Sequence, residues 1–261
     1  MRVAVLGARG RMGTSVCEAV EEASDLELVA AVDPAAASGL AGSDSSPETS
    51  VRYRDISALA KTQAEVAVDF TVASSALENA AWCAANGVHM VIGTTGLGAA
   101  GTSRLETLFP PQGALGCVVA ANFAIGAVLM MRFAELAAPW FDTAEIVELH
   151  HDAKVDAPSG TALVTAERMA AASAEWGRDP TEKEVLPGAR GGMGPGGIRV
   201  HSVRMRGMVA HQEVILGASG QTLTIRHDSL DRRSFMPGVL AAIRRVASRP
   251  GLTVGLEPIL F

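Results

Sequence analysis

Residues 2–33 constrain this chain more than any other stretch. "RVAVL" (2–6) is short, apolar and β-branched, and "GARGRMG" follows with glycines at positions 7, 10 and 13. "GTSVCEAVEEA" then places apolar residues at Val16, Ala19, Val20 and Ala23, a helical interval, before "LELVAAVD" (26–33) resumes strand character. Strand, glycine turn, helix and strand in such a short span predict a βαβ unit with parallel strands, since two parallel strands need a crossover between them.

The alternation continues. Strands are expected at "VAVDFT" (66–71), "HMVIGTT" (89–95) and "CVVAA" (117–121), with a helical pattern over "SSALENAAWCAANG" (74–87) between the first two. That pattern predicts a parallel, doubly wound sheet. Beyond residue 122 the texture changes. "TAEIVELHH" (143–151), "GIRVHSVRMRG" (197–207), "HQEVILG" (211–217) and "QTLTIRH" (221–227) are strand-like, and the last three lack intervening helices. In the last run Leu223, Ile225 and His227 share one face, and Thr222, Thr224 and Arg226 the other. The "GASG" turn (217–220) points to a hairpin. The expected fold is α/β: an N-terminal Rossmann-type parallel-sheet domain and an α+β C-terminal domain with a mixed or antiparallel sheet. "LPGARGGMGPGGI" (186–198) is too rich in Gly and Pro for regular structure and reads as a loop near a site or a long connector.

Composition excludes several function classes. Asp and Glu outnumber Lys and Arg by 28 to 22, a formal net charge of −6, which disfavours general nucleic-acid binding. The longest apolar stretch, "ANFAIGAVLMMRFAELAAPWF" (121–141), carries Asn122, Arg132 and Glu135 and reads as a buried helix with its flanks, not a membrane span. The opening apolar run is too short for a signal peptide, so a cytoplasmic chain is expected. Cys17, Cys83 and Cys117 lack metal-ligand spacing and are expected to be buried free thiols.

Two segments carry the chemistry. In the first, Gly7, Gly10 and Gly13 form a G-x-x-G-x-x-G turn between strand and helix, where the backbone can approach a pyrophosphate and the helix N-terminus faces the anion. Asp33, twenty residues after Gly13, ends the second strand, where a carboxylate can bind an adenosine ribose. Asp33 alone favours NADH, while Arg9 and Arg11 can neutralise a 2′-phosphate, so use of NADH, NADPH or both is expected. "GTTG" (93–96) and "AANF" (120–123) also fall at strand ends, where ligands of open α/β sheets bind.

The second segment is "ELHHDAKVDAPSGTAL" (148–163). A helix is expected to start at Pro158 or Ser159, with Ala162, Leu163, Ala166, Met169 and Ala170 on one face, leaving N–H groups near Gly160 and Thr161 for an anion such as a carboxylate. His150 and His151 add donor capacity, and Lys154 adds an ammonium that can deliver a proton. Neither the paired histidines nor Asp152 and Asp156 have zinc spacing, so no metal is expected. A nicotinamide site paired with this cluster makes a reductase of an anionic substrate, expected to carry more than one carboxylate.

The string E-L-H-H-x-x-K-x-D-A-P-S-G-T-A resembles the signature of the 4-hydroxy-tetrahydrodipicolinate reductase (dihydrodipicolinate reductase) family of bacterial and plant lysine biosynthesis. The resemblance extends over nearly the whole chain, through "VAVLGARGRMG", "GTTG", "AANF" and "HDSLDRRSFMPGVLAAI" (227–243). It implies an NAD(P)H-dependent reduction giving tetrahydrodipicolinate, a ring with two carboxylates. It places His150 and Lys154 in the catalytic roles and His151, Gly160 and Thr161 at the substrate carboxylates. Gly7, Ala8, Arg9, Gly10, Arg11, Met12, Asp33, Gly93, Thr94, Thr95, Ala120, Ala121, Asn122 and Phe123 match cofactor contacts. It further implies a homotetramer assembled through C-terminal-domain sheets, and a division into a nucleotide domain (1–121, completed by 233–261) and a substrate and oligomerisation domain (122–232). One departure stands out: where the family commonly has a proline two residues after "DFT", this chain has Ala73. The competing readings are another amino- or keto-acid dehydrogenase, which lacks the His-His-x-x-Lys segment, and a dinucleotide sensor, which has no use for Lys154 beside a carboxylate site.

Overall fold

The computed structural model describes residues 1–35, 52–173 and 175–261. They form two compact units, Met1–Phe123 with Phe235–Phe261, and Ala124–Ser234. In the first unit the elements run β1 (Arg2–Leu6), α1 (Arg11–Glu22), β2 (Glu27–Val32), β3 (Arg52–Tyr53), β4 (Val66–Asp69), α2 (Ala73–Ala85), β5 (His89–Ile92), α3 (Gly98–Leu108) and β6 (Gly116–Val119). The second unit contributes α4 (Ile125–Ala137), β7 (Thr143–His150), α5 (Gly160–Ala172), β8 (Gly192–Met193), β9 (Arg199–Arg204), β10 (Ala210–Ala218) and β11 (Gln221–Ser229). The chain then adds α6 (Met236–Val246), β12 (Gly251–Val254) and α7 (Glu257–Leu260) to the first unit.

The first sheet has seven parallel strands in the order β12-β6-β5-β4-β1-β2-β3. Its central strands are continuously apolar because helices cover both faces. Ala4, Leu6, Ala30, Val32, Met90 and Ile92 pack with Ala76, Ala80, Cys83 and Leu105 of α2 and α3. The alternate residues, among them Val3, Val5, Val68, Val91 and Val118, are equally buried, and α1 and α6 pack on each other there, with α6 also against β5. Strand order reverses beside β1, between β2 on one side and β4 on the other, so the crevice at the C-terminal ends of these strands is the ligand position of an open α/β sheet. Helix α3 has no counterpart among the sequence expectations. It carries Gly98, Gly101, Thr102 and Ser103, weak helix formers, and burial of Leu105 and the following Phe109 holds it in place. Cys83 and Cys117 are buried free thiols, but Cys17 is only partly buried, and burial still pushes its thiol up to about 12.

The second sheet is mixed, in the order β11-β10-β7-β9-β8, with β7 and β9 parallel and the other pairs antiparallel. Ile146, Glu148, Val200, Gln212, Val214 and Leu216 point to the helix-covered face, where Gln212 Nε2 donates to Thr165 Oγ1 of α5 at 2.8 Å. The β10–β11 hairpin closes through Ser219 and Gly220, the glycine at φ +77°. His227 shares the α4-facing side, its ring against Gly126.

Three sequence expectations are corrected here. Helix α4 is not wholly buried: Phe133 and Leu136 are about half exposed. In α5, Leu163 turns outward and Thr165 takes the buried position, because the helix face is set by contact with β7 and α4, not by hydrophobicity alone. The Gly-rich segment 186–198 is not devoid of regular structure, since Gly192 and Met193 pair with β9. Its Arg190 bonds Glu145 at the start of β7, the end away from His150. Among the described residues no helix is long and apolar enough to cross a membrane.

Candidate active site

At the C-terminal end of β1, Gly7 and Ala8 donate from their backbone N–H groups to Val32 O, and Gly10 N donates back to Gly7 O at 3.0 Å. Gly7 sits at φ +76°, a conformation that side-chain-bearing residues rarely adopt. A Cβ on Gly13 would lie 2.0 Å from Gly7 O, so helix α1 approaches the turn as closely as it does only because position 13 lacks a side chain. Gly10 is the N-cap of α1 and supplies no side-chain cap, which leaves the first turn, with Arg11 and Met12, to other partners. Asp33 accepts from Arg9 N at 3.1 Å and Ala35 N at 2.9 Å, while the Arg9 guanidinium donates to Ala35 O at 2.9 Å. The glycine turn and the carboxylate are thus one loop system with a cation alongside, and its residues fit a dinucleotide.

The turn after β5 is held by Asp69, which is fully buried at the end of β4. Its carboxylate accepts from Thr71 N at 2.8 Å, Thr71 Oγ1 at 2.6 Å and Asn79 Nδ2 at 2.7 Å, and at 3.4 Å from Thr94 Oγ1. One buried acid therefore ties the "DFT" turn, helix α2 and the Gly93–Thr95 turn together. Thr95 and Ala121 are exposed at the ends of β5 and β6, while Phe123 is buried with its ring 5.9 Å from that of Phe70. Ala73 is the first residue of α2, where a proline's missing N–H would have no intrahelical partner in any case, so the helix begins normally without it.

In the second unit, His150 is the last residue of β7, and a turn in which Lys154 N donates to His151 O leads to α5. Ser159 caps α5, its Oγ accepting from Ala162 N at 3.2 Å. Gly160 and Thr161 are the first two helical residues, and a Cβ at Gly160 would meet nothing within 4 Å. His151 is exposed. The Lys154 ammonium donates to both oxygens of Asp156 at 2.7 Å.

The residue that organises this end of β7 is one that the motif reading did not single out. Glu148 is fully buried, two positions before His150 and hence on the same face. Oε2 faces His150 Nδ1 at 2.5 Å and accepts from Arg204 at 2.9 Å; Oε1 accepts from Arg204 at 2.8 Å and from Ser159 N at 3.2 Å. Arg204 also donates to Asp156 O at 2.7 Å. Burial alone would raise the Glu148 carboxyl, but hydrogen bonds from Arg204, Ser202 and His150 outweigh it and hold it below the usual range. Burial pushes His150 down, against the pull of Glu148. An ionised carboxylate only accepts, so Nδ1 of His150 carries a proton and the neutral ring presents Nε2 as an acceptor. Glu148 had a sequence signal, an acid in period-two register with His150; Arg204, far along the chain, had none.

Comparison with known proteins places both halves of the chain in one family. The profile of the family described as "Dihydrodipicolinate reductase, N-terminus" matches residues 1–123, and that described as "Dihydrodipicolinate reductase, C-terminus" matches residues 126–260. The chain is 51% identical over 264 residues to a protein of Cutibacterium acnes named 4-hydroxy-tetrahydrodipicolinate reductase, covering 100% of this chain and 98% of that one. It is 48% identical to the protein of that name from Mycobacterium ulcerans, covering 100% and 99%. A dipicolinate-bound dihydrodipicolinate reductase from Paenisporosarcina sp. TG-14 superposes with a TM-score of 0.86 at 41% identity, covering 99% of both chains. A probable dehydrogenase from Thermotoga maritima, 13% identical with a TM-score of 0.63, shares the fold alone. With both halves matched in order and the relatives aligned end to end, this chain belongs to the dihydrodipicolinate reductase family.

Proposed function

We propose that this chain catalyses the NAD(P)H-dependent reduction of 4-hydroxy-tetrahydrodipicolinate (dihydrodipicolinate) to tetrahydrodipicolinate, with His150 and Lys154 as its catalytic residues. The observation that carries the reading is the convergence, at the C-terminal end of β7, of His150, the Lys154 ammonium and the open start of α5. The first unit binds the dinucleotide, through Gly7–Met12, Asp33, Gly93–Thr95 and Ala120–Phe123. The nicotinamide, when bound, supplies a hydride. In the second unit His151, Gly160 and Thr161 hold the substrate carboxylates, the helix N-terminus favouring the anion. Reduction leaves negative charge on the ring that has to be protonated. The Lys154 ammonium is the donor at neutral pH, because burial favours the neutral imidazole at His150. The dipicolinate in the Paenisporosarcina protein, a planar dicarboxylate, supports this substrate class.

The test is loss of NADH or NADPH absorbance with the hydroxylated substrate made in situ by its preceding synthase. If neither cofactor is consumed although both bind, the reading fails and a dinucleotide sensor, or a reductase of a different acid, takes its place.

Two predictions belong here. Gly160→Ala is expected to leave the folding stability unchanged to within about 0.5 kcal/mol, since the added methyl enters open space on a helix, and to raise the substrate KM and the dipicolinate Kd. An unchanged KM would remove Gly160 from the carboxylate site. We further propose that Asp33 is compatible with both cofactors because Arg9 and Arg11 offset its charge toward a 2′-phosphate. Arg11→Ala should then weaken NADPH more than NADH in parallel fluorescence titrations, and equal losses would rule out that role. Assembly as a homotetramer is proposed through the uncovered face of the second sheet, where Val147, Leu149 and Ile215 alternate with buried Ile146, Glu148 and Val214 and are themselves only partly buried.

A further inference from the structure

We infer that the pair formed by buried Glu148 and half-buried Arg204 is the positioning element of the catalytic segment: it sets the orientation and tautomer of His150, anchors the Ser159 turn, and fixes the Asp156 peptide whose side chain holds Lys154. The inference rests on the reductase reading above. It identifies residues that act through others, not on the substrate.

The argument begins with cost. A carboxylate with no solvent exposure is expensive unless every lone pair is used, and Glu148 is fully buried. A strand position facing α5 would more cheaply hold a Val or Ile, as the neighbouring Ile146 shows. What the acid provides instead is geometry. Its two oxygens join three separate pieces of chain: the end of β7 through His150, the cap of α5 through Ser159 N, and the end of β9 through Arg204. Arg204 extends the link from the other side, with one guanidinium nitrogen on Glu148 Oε1 and the same nitrogen on Asp156 O. Asp156 in turn holds the Lys154 ammonium through both carboxylate oxygens. His150 and Lys154 thus hang from one ion pair whose acid is buried, and loop residues 151–158 are tied down at both ends. Packing alone would place a helix near a strand. It would not choose which imidazole nitrogen carries the proton.

The charges acting on His150 are Glu148 beside Nδ1, and Lys154 and Arg204, which oppose its protonation. Removing the Glu148 charge therefore leaves Lys154 and Arg204 against the ring in Glu148→Gln, and Lys154 alone in the double variant in which Arg204 is also replaced. Whichever protonation state of His150 turnover requires, its limb in the pH–rate profile must then move to lower pH.

The experiment compares wild type with Glu148→Gln and with the double variant Glu148→Gln/Arg204→Met. The double variant removes both charges of the pair together and so avoids leaving Arg204 without its acid if the single variant does not fold. Tm and NADH fluorescence report folding, and steady-state NADH or NADPH oxidation is followed across pH. We expect kcat to fall about tenfold to hundredfold, a part of what a positioned general acid contributes, with NADH affinity at the wild-type level and the His150 limb displaced to lower pH. Glu148→Asp, which keeps the charge, should return the limb toward its wild-type position even though its shorter reach leaves kcat reduced. A folded variant lacking the Glu148 charge that turns over at the wild-type rate with an unmoved limb overturns the inference. So does a kcat loss with the limb unmoved, which is the signature of mere structural damage. If wild type itself consumes neither cofactor, the reductase reading falls, and this inference falls with it; an active wild type with indifferent variants sinks the inference alone.

Discussion

Lys154→Ala should reduce turnover by about 10²–10⁴-fold, the range expected for losing a general acid, while NADH and NADPH bind as in wild type. The separation of effects follows from the fold. Lys154 lies in the turn between β7 and α5, within the unit spanning Ala124–Ser234, and its ammonium contacts only the side chain of Asp156 among the bonds described for it. Among the described residues its ammonium bonds only Asp156, so cofactor titration is an internal control for folding. A surface pair of this kind is worth little to stability, at most about 1 kcal/mol, and Tm should barely move. His150→Gln tests the assignment from the other side. It keeps a hydrogen-bonding group at Glu148 but removes the ionisable ring, and should lower kcat less at neutral pH if Lys154 is the donor. Near-normal rates in both variants would end the catalytic reading of this segment. A full loss in His150→Gln with a nearly active Lys154→Ala would reverse the two roles.

The second large effect is expected at Gly13. Gly13→Ala puts a Cβ 2.0 Å from the Gly7 carbonyl oxygen, a backbone atom that cannot swing away as a side chain can. Helix α1 must back off or the turn must deform. Overpacking costs about 1–3 kcal/mol in general, which corresponds to a Tm fall of roughly 2–12 °C in a domain of this size. If the same cost falls on the bound geometry, NADH affinity drops about tenfold to hundredfold. Calorimetry and fluorescence titration measure the two separately. Retention of wild-type affinity would mean that the glycine turn does not need its close approach, and the dinucleotide site would have to be sought at the ends of β5 and β6. Gly160→Ala is the matched control, because that glycine has nothing within 4 Å to clash with.

Much of the local structure of these two segments is legible in the sequence. The strand–glycine–helix–strand pattern of residues 2–33 has few physical solutions, because a positive φ at Gly7, an absent side chain at Gly13 and a carboxylate at the end of β2 each exclude most alternatives. The histidine–lysine segment was equally plain, since Ser159 as helix cap follows from local chemistry that needs no distant partner. Less legible were elements whose stability comes from elsewhere. Helix α3 has poor intrinsic propensity and exists because the sheet buries Leu105. Leu163 looked like a core residue by spacing, but α5 presents Thr165 to Gln212 instead.

What the sequence by itself determined is the identity and order of the chemical groups: a glycine turn after the first strand, an acid at the end of the second, and a His-His-x-x-Lys segment running into a capped helix. These are readable because each depends on neighbours within a few residues, where backbone geometry leaves little choice. Only the tertiary structure decided how those groups are held. Asp69 binds three segments of the first unit, and Glu148 with Arg204, 56 positions apart in the chain, ties the end of β7 to the end of β9 and the start of α5. Such pairings are invisible in one dimension, since a buried carboxylate is stable only where the fold brings its donors together from separate strands and helices.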